Sequence, residues 1–112
     1  MRRPVLTALL WSVGIFLACS VPGNRLPPGP FVSFDKVVHL AMFFGYGALW
    51  LRAFPKRPVM ILLTAAVFAV GIEVWQSTPW IGRRMDAGDA VADLVGAVLG
   101  VSVELWRRRR GD

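Results

Sequence analysis

The sequence predicts an all-α, membrane-embedded four-helix bundle with both termini in the cytoplasm. Hydrophobic residues make up 55% of the 112 residues, more than a soluble domain of this size can bury, because small domains leave much of their surface exposed. These residues form four separate runs, and none of the runs alternates as a half-buried strand does. Lys and Arg residues cluster between the runs, as topology signals do in membrane proteins. We treat residues 1–112 as a single domain.

Each apolar run ends at residues that stop a helix. We predict helices at about residues 5–21, 37–54, 59–76 and 89–106. The proline-rich segment 22–30 separates the first two helices, Pro55 and Pro58 separate the second from the third, and four arginines at 107–110 follow the last one. At 1.5 Å per residue, such helices reach about 25 to 27 Å, which is enough for a thin hydrocarbon core.

The basic residues outside the runs predict the orientation of the helices. Nine lie on the side of the two termini: Arg2, Arg3, Arg52, Lys56, Arg57, Arg107, Arg108, Arg109 and Arg110. Four lie on the opposite side: Arg25, Lys36, Arg83 and Arg84. Cytoplasmic segments carry the excess of Lys and Arg, so the termini are expected inside. The formal net charge of +6 is spread over short clusters and not over one face, which argues against nucleic-acid binding.

The first run has a second interpretation. Its basic start and its small-residue end at Ala18 and Cys19 resemble a lipoprotein processing site, although Phe16 stands where a branched aliphatic residue is more usual. We favour an uncleaved helix in which Cys19 is a small packing residue. A single cysteine allows neither a disulfide within the chain nor a zinc site built on several thiols.

Ionisable residues gather at the predicted outer ends of three helices. They are Asp35, His39, Glu73, Asp86, Asp89 and Asp93. Helix rise places His39, Glu73 and Asp93 each about 5 to 6 Å inside the outer end of its helix. A buried charge costs several kcal/mol unless it is paired or hydrated. We therefore expect one shared polar cluster that opens outward.

One face of the fourth predicted helix combines acidic and small residues. Within an arc of about 80° lie Asp86, Asp89, Asp93, Gly96, Gly100 and Glu104. The GxxxG spacing of Gly96 and Gly100 permits close approach of another helix. We predict that these two glycines pack against a neighbouring helix.

The polar residues resemble the pattern of the VanZ-like membrane proteins. In that family Asp-Lys followed by His opens one helix and Glu-x-x-Gln closes the next. An Arg, an Asp three residues on, an Asp six on and an Asn ten on then lead into a small-residue helix. The matching residues here are Asp35, Lys36, His39, Glu73, Gln76, Arg83, Asp86, Asp89, Gly96 and Gly100. Asp93 stands at the Asn position, Arg84 is an additional cation, and the match covers roughly 60% of the chain.

The resemblance implies a bundle of about four helices in the bacterial cytoplasmic (inner) membrane and a link to the cell envelope. The family's namesake is associated with low-level resistance to the glycopeptide teicoplanin. We expect the cluster to bind, or to process, an anionic envelope lipid or cell-wall precursor. Arg83 and Arg84 would grip the anion, and the candidate catalytic residues are His39, Glu73 and Asp89. Membrane lipids are the other expected partners, and no cofactor is expected.

Other interpretations stay open at the level of the sequence. Asp35 could simply cap the second helix, and Arg83 and Arg84 could only neutralise nearby aspartates. No nucleophile has a recognisable arrangement, because Ser77 and Thr78 are only loop candidates. The protein could be a non-enzymatic scaffold or partner subunit, in an oligomer, with a structural polar cluster. A hard-cation site formed by carboxylates and His39 is a further alternative.

Overall fold

The computed structural model describes residues 3–22, 34–82 and 87–111. Those residues form four α-helices and no strand: α1 (Arg3–Cys19), α2 (Phe34–Ala53), α3 (Pro58–Gln76) and α4 (Ala87–Arg109). The predicted all-α class with four helices is confirmed. The ends of the helices differ from the predicted ones by at most three residues. The largest differences are an earlier start of α2 and a longer α4, which continues through Arg109 because basic side chains are favourable at a helix C-terminus.

The short connection between α2 and α3 fixes these two helices as a hairpin. The backbone N–H of Phe54 still donates to Trp50 O at 2.9 Å, and that of Arg57 donates to Phe54 O at 3.2 Å. Pro58 then occupies the first position of α3, where its missing N–H costs no helical hydrogen bond. After α3, the turn closes through a bond from Gly82 N to Thr78 O of 2.8 Å. Gly82 has a φ of 69°, which glycine adopts without strain.

The helices alternate in direction, so α2 and α4 run parallel to each other. These two helices form the central pair, with α1 packed mainly on α2 and α3 packed on both. One end of the bundle holds the N-termini of α2 and α4 with the C-termini of α1 and α3, and we call it the acidic end. The opposite end holds Arg52 and Arg107, and we call it the arginine end.

Glycines allow the backbones of α2 and α4 to touch. A Cβ atom on Gly96 would overlap the carbonyl oxygen of Leu40, and one on Gly100 would overlap that of Phe44. On the other side of the contact, a Cβ atom on Gly47 would meet the carbonyl oxygen of Ala97. Backbone atoms cannot yield as a flexible side chain can, so the close parallel packing depends on these small residues.

Indole hydrogen bonds join α1 and the residue that follows it to α2 and α3. The Nε1–H of Trp11 donates to Met42 O at 2.8 Å, and that of Trp50 donates to Ser12 Oγ at 2.9 Å. At the acidic end, Trp75 Nε1 donates to Ser20 Oγ at 2.9 Å. Each indole thereby satisfies its donor while its ring packs between helices.

Large apolar side chains cover the outward faces of the bundle. On α3, the residues Leu63, Val67, Val70 and Val74 are between 54% and 74% exposed. Within the described ranges, α3 alone is long and apolar enough to cross a bilayer, and α1 is an apolar helix of 17 residues. The structure therefore shows one candidate span, and four spans with cytoplasmic termini remain a prediction.

Candidate functional site

The acidic end brings together polar side chains from α2 and α4. Since the two helices are parallel, residues near both N-termini lie side by side. Lys36 Nζ lies 3.1 Å from Asp89 Oδ1, and His39 Nδ1 lies 2.8 Å from Asp93 Oδ1. The second ring nitrogen of His39, Nε2, is 4.0 Å from Asp89 Oδ2. Two ion-paired or hydrogen-bonded contacts thus join residues more than fifty positions apart in the sequence.

Glu73 adds a third helix to this group. It lies near the C-terminus of α3, is only 5% exposed, and is close enough to interact electrostatically with His39. We call Lys36, His39, Glu73, Asp89 and Asp93 the polar cluster. The cluster therefore combines three carboxylates with one lysine and one imidazole.

Burial within the polar cluster is graded. Asp93 is 0% and His39 is 4% exposed, whereas the side chain of Lys36 keeps 37% of its surface exposed. Lys36 consequently lies at the surface of the cluster, and Asp93 lies at its deepest point. The second carboxylate oxygen of Asp93, Oδ2, is buried without a hydrogen-bond donor among the described residues. A buried oxygen in such a position is commonly satisfied by an ordered water.

Two of the predicted site residues have other partners at the same end. The side chain of Asp35 is 57% exposed and lies 4.0 Å from Lys36 Nζ, in the first turn of α2, where an acid is favourable for the helix dipole. Gln76 is buried, and its amide nitrogen donates to Cys19 O at 3.1 Å. Gln76 therefore secures the C-terminus of α1 against α3.

The loop residues after α3 are not arranged as nucleophiles. The hydroxyl of Ser77 donates to Val74 O at 2.8 Å, and the hydroxyl of Thr78 donates to Trp75 O at 2.8 Å. Both bonds are local ones that commonly terminate helices. The predicted anion-gripping residues Arg83 and Arg84, and also Asp86, lie outside the described residues.

The geometry of the polar cluster suits binding and proton movement. A carboxylate that hydrogen-bonds one imidazole nitrogen orients the ring and influences which nitrogen carries the proton. His39 has this arrangement with Asp93 and directs its other nitrogen toward Asp89. Among the described residues, no group of three His, Cys, Asp or Glu side chains is placed to hold a metal ion, so the hard-cation interpretation gains no support there.

The arginine end contains a further buried carboxylate, Glu104, whose ion pairs were not predicted from the sequence. Glu104 is 2% exposed and lies 2.7 Å from Arg107 Nη2 and 3.1 Å from Arg52 Nε. Arg108 Nε is 3.9 Å away. The signal was present in the sequence, because Arg107 and Arg108 follow Glu104 by three and four residues, the spacing of helical ion pairs.

Comparisons with known proteins found no match for this chain. No family model, no curated protein and no solved structure matches it.

Proposed function

We propose that this protein is a VanZ-like membrane protein whose polar cluster binds an anionic molecule of the bacterial cell envelope. The ligand class is a lipid-linked phosphate or a cell-wall precursor. The observation that carries the proposal is the convergence of the motif residues. Lys36 and His39 of α2 both approach Asp89 of α4 within 4.0 Å, and Glu73 of α3 is buried at the same end of the bundle.

The exposed apolar surface supports a location in the cytoplasmic membrane. Soluble monomers rarely expose large contiguous apolar patches, whereas Leu63, Val67, Val70 and Val74 are all exposed along α3. Lipid chains would cover this surface. With the excess of basic residues placed inside, the acidic end faces outward and both termini are cytoplasmic.

Cysteine labelling of intact cells tests this orientation. With Cys19 replaced, single cysteines at Arg25, Arg57 and Arg83 are treated with an impermeant thiol reagent. We expect labelling at positions 25 and 83 and protection at position 57. Labelling at 57 alone would invert the orientation, and labelling at all three in sealed cells would contradict the membrane proposal.

The individual cations at the surface of the acidic end, and not its net charge, support an anionic ligand, which should carry hydrogen-bond donors as well. Lys36 is the surface cation of the polar cluster, and the connection from α3 to α4 contributes Arg83 and Arg84. Asp89, whose side chain is 12% exposed beside Lys36, can accept a hydrogen bond from a sugar hydroxyl or an amide of a cell-wall precursor. Processing of the ligand would be limited to proton transfer through His39, since the local hydroxyls bond to the backbone. We therefore propose binding as the primary activity.

A pair of neighbouring arginine variants tests the proposal in cells. Arg83 matches the family pattern and Arg84 does not, so Arg83→Ala should lower teicoplanin resistance more than its matched control Arg84→Ala. Protein abundance in the membrane is measured in the same cells. Equal resistance of wild-type and Arg83→Ala cells at equal abundance would contradict the proposed site.

The second candidate function is a non-enzymatic scaffold or partner subunit. The bonds from Lys36 to Asp89 and from His39 to Asp93 both join α2 to α4, so they can hold these helices together without any ligand. Under this alternative, His39→Ala reduces membrane abundance and resistance in parallel. Under the binding proposal, resistance falls while abundance stays near the wild-type level.

A further inference from the structure

A cavity of about 510 Å³ lies between α2 and α3, toward the arginine end and far along the helices from the polar cluster. Its volume falls in the range of small-molecule sites. One wall is formed by Tyr46 and Trp50 of α2 and by Phe54, the residue directly after α2, and their spacing of four residues places them on one side. Residues Met60, Ile61 and Thr64 of α3 form the other wall.

The walls of this cavity are held in place. The rings of Trp50 and Phe54 stack with their centroids 6.1 Å apart, and those of Tyr46 and Trp50 are 6.2 Å apart. Trp50 is fixed from behind by its hydrogen bond to Ser12. The cavity therefore exists without a ligand, and a ligand would pay little to order its walls.

The polar groups of the lining are already satisfied, with one exception. Tyr46 Oη donates to Thr64 Oγ1 at 2.9 Å, and the indole of Trp50 donates to Ser12. Arg57 is exposed, and its guanidinium forms no ion pair with any described carboxylate. The lining thus presents an apolar interior and one free positive charge.

We infer that this cavity binds one anionic phospholipid of the inner leaflet, with an acyl chain between α2 and α3 and the phosphate on Arg57. The charge of Arg57 complements a phosphate, which guanidinium groups bind through paired hydrogen bonds. The backbone at the start of α3 has no side-chain cap, so the helix dipole there also favours an anion. The inference depends on the proposed membrane location but not on the polar cluster.

A thermal-shift titration in neutral detergent tests this inference. Dioleoyl phosphatidylglycerol is added to the purified full chain, and dioleoyl phosphatidylcholine serves as the zwitterionic control. We expect phosphatidylglycerol to raise the melting temperature and phosphatidylcholine to raise it much less. Equal shifts with both lipids, or an equal shift with glycerol 3-phosphate alone, would overturn the inference.

Two variants of the same turn distinguish specific binding in the cavity from a general attraction between the basic protein and an anionic lipid. Arg57→Gln removes the charge that lines the cavity, and Lys56→Gln removes an exposed charge beside it. The phosphatidylglycerol concentration at half-maximal shift should rise about tenfold in Arg57→Gln and less than about twofold in Lys56→Gln. Similar losses in both variants would overturn the specific site.

A third variant tests the apolar part of the cavity. Met60 is 49% exposed, so Met60→Trp can fill the space from the surface without disturbing the core. The lipid-free melting temperature should stay near that of the wild type, while the phosphatidylglycerol shift should be lost. A full shift in this variant would show that no acyl chain enters between α2 and α3.

Discussion

Asp93 and Glu104 are both buried carboxylates on the face of α4 that packs against α2, but they differ in how their charge is compensated. At the arginine end, Glu104 has three arginines within 4 Å. At the acidic end, one oxygen of Asp93 is bonded to His39, and the other has no donor among the described residues.

This difference distinguishes a structural role for Glu104 from the binding role that we propose for the polar cluster. A buried carboxylate whose oxygens are fully bonded to cations gains little from any further partner. The polar cluster has fewer cations than carboxylates, so its groups can still gain from hydrogen-bond donors that a ligand brings to its exposed edge. We therefore interpret the arginine-end group as a lock between α2 and α4, and the polar cluster as the site.

The largest expected effect on stability comes from the close contact between α4 and α2 at Gly100, which lies between the two ends. In Gly100→Leu the new side chain meets the Phe44 backbone, so α2 and α4 must separate, and the free energy of unfolding should fall by at least about 3 kcal/mol. Gly71 is the matched control, because a Cβ atom there meets nothing within 4 Å. Thermal unfolding in bilayer nanodiscs measures both variants. Equal melting temperatures for Gly100→Leu and Gly71→Leu would show that α2 and α4 do not touch.

Removal of the buried charge at the arginine end should have the next largest effect. Glu104→Gln replaces charge-assisted hydrogen bonds with weaker ones, so the free energy of unfolding should fall by about 2 kcal/mol. The control is Asp35→Asn, a change at an exposed carboxylate, which should cost less than about 0.5 kcal/mol. The comparison between the ends fails if Glu104→Gln is as stable as Asp35→Asn.

The matching change at the acidic end should be milder. Asp93→Asn keeps an oxygen that can accept a hydrogen bond from His39, and it restores the residue that the VanZ-like pattern has at this position. We expect the free energy of unfolding to change by less than about 1 kcal/mol. Thermal unfolding, alongside Asp93→Leu as the disruptive variant, measures this. If Asp93→Asn lowers the free energy of unfolding as much as Glu104→Gln does, both carboxylates have a structural role and the proposed difference between them is wrong.

The smallest expected effect on stability is at the surface of the polar cluster. Lys36 keeps 37% of its side chain exposed, so its ion pair with Asp89 is screened, and Lys36→Gln should cost about 0.5 kcal/mol. The same thermal measurement, repeated at high salt, should show little further loss. A cost above about 2 kcal/mol would indicate that this ion pair is needed for the fold.

Much of the fold could be predicted from residue spacing. The four helices follow from apolar runs that end at prolines and basic residues, and the small residues on one face of α4 predicted a close helix contact. The length of α4 was underestimated, since arginines that end an apolar run can still continue a helix.

The partners of individual side chains could not be predicted from spacing, because they depend on which helices are neighbours. The parallel pairing of α2 with α4 brings Lys36 to Asp89 and Arg52 to Glu104, and no local pattern encodes that pairing. Gln76 was predicted in the polar cluster, but its amide bonds to the end of α1. The packing of the whole bundle determines which side chains become partners.

The central claim is that the polar cluster binds the envelope anion and that the ion-paired group around Glu104 does not. Binding of a short-chain polyprenyl pyrophosphate to the full chain in nanodiscs tests it most directly, with one cation removed at each end. Lys36→Gln should weaken binding about tenfold. The folded fraction of Arg52→Gln should bind with the same affinity as the wild type. Equal weakening in both variants, or equal binding of the uncharged polyprenol by the wild type, would contradict the account.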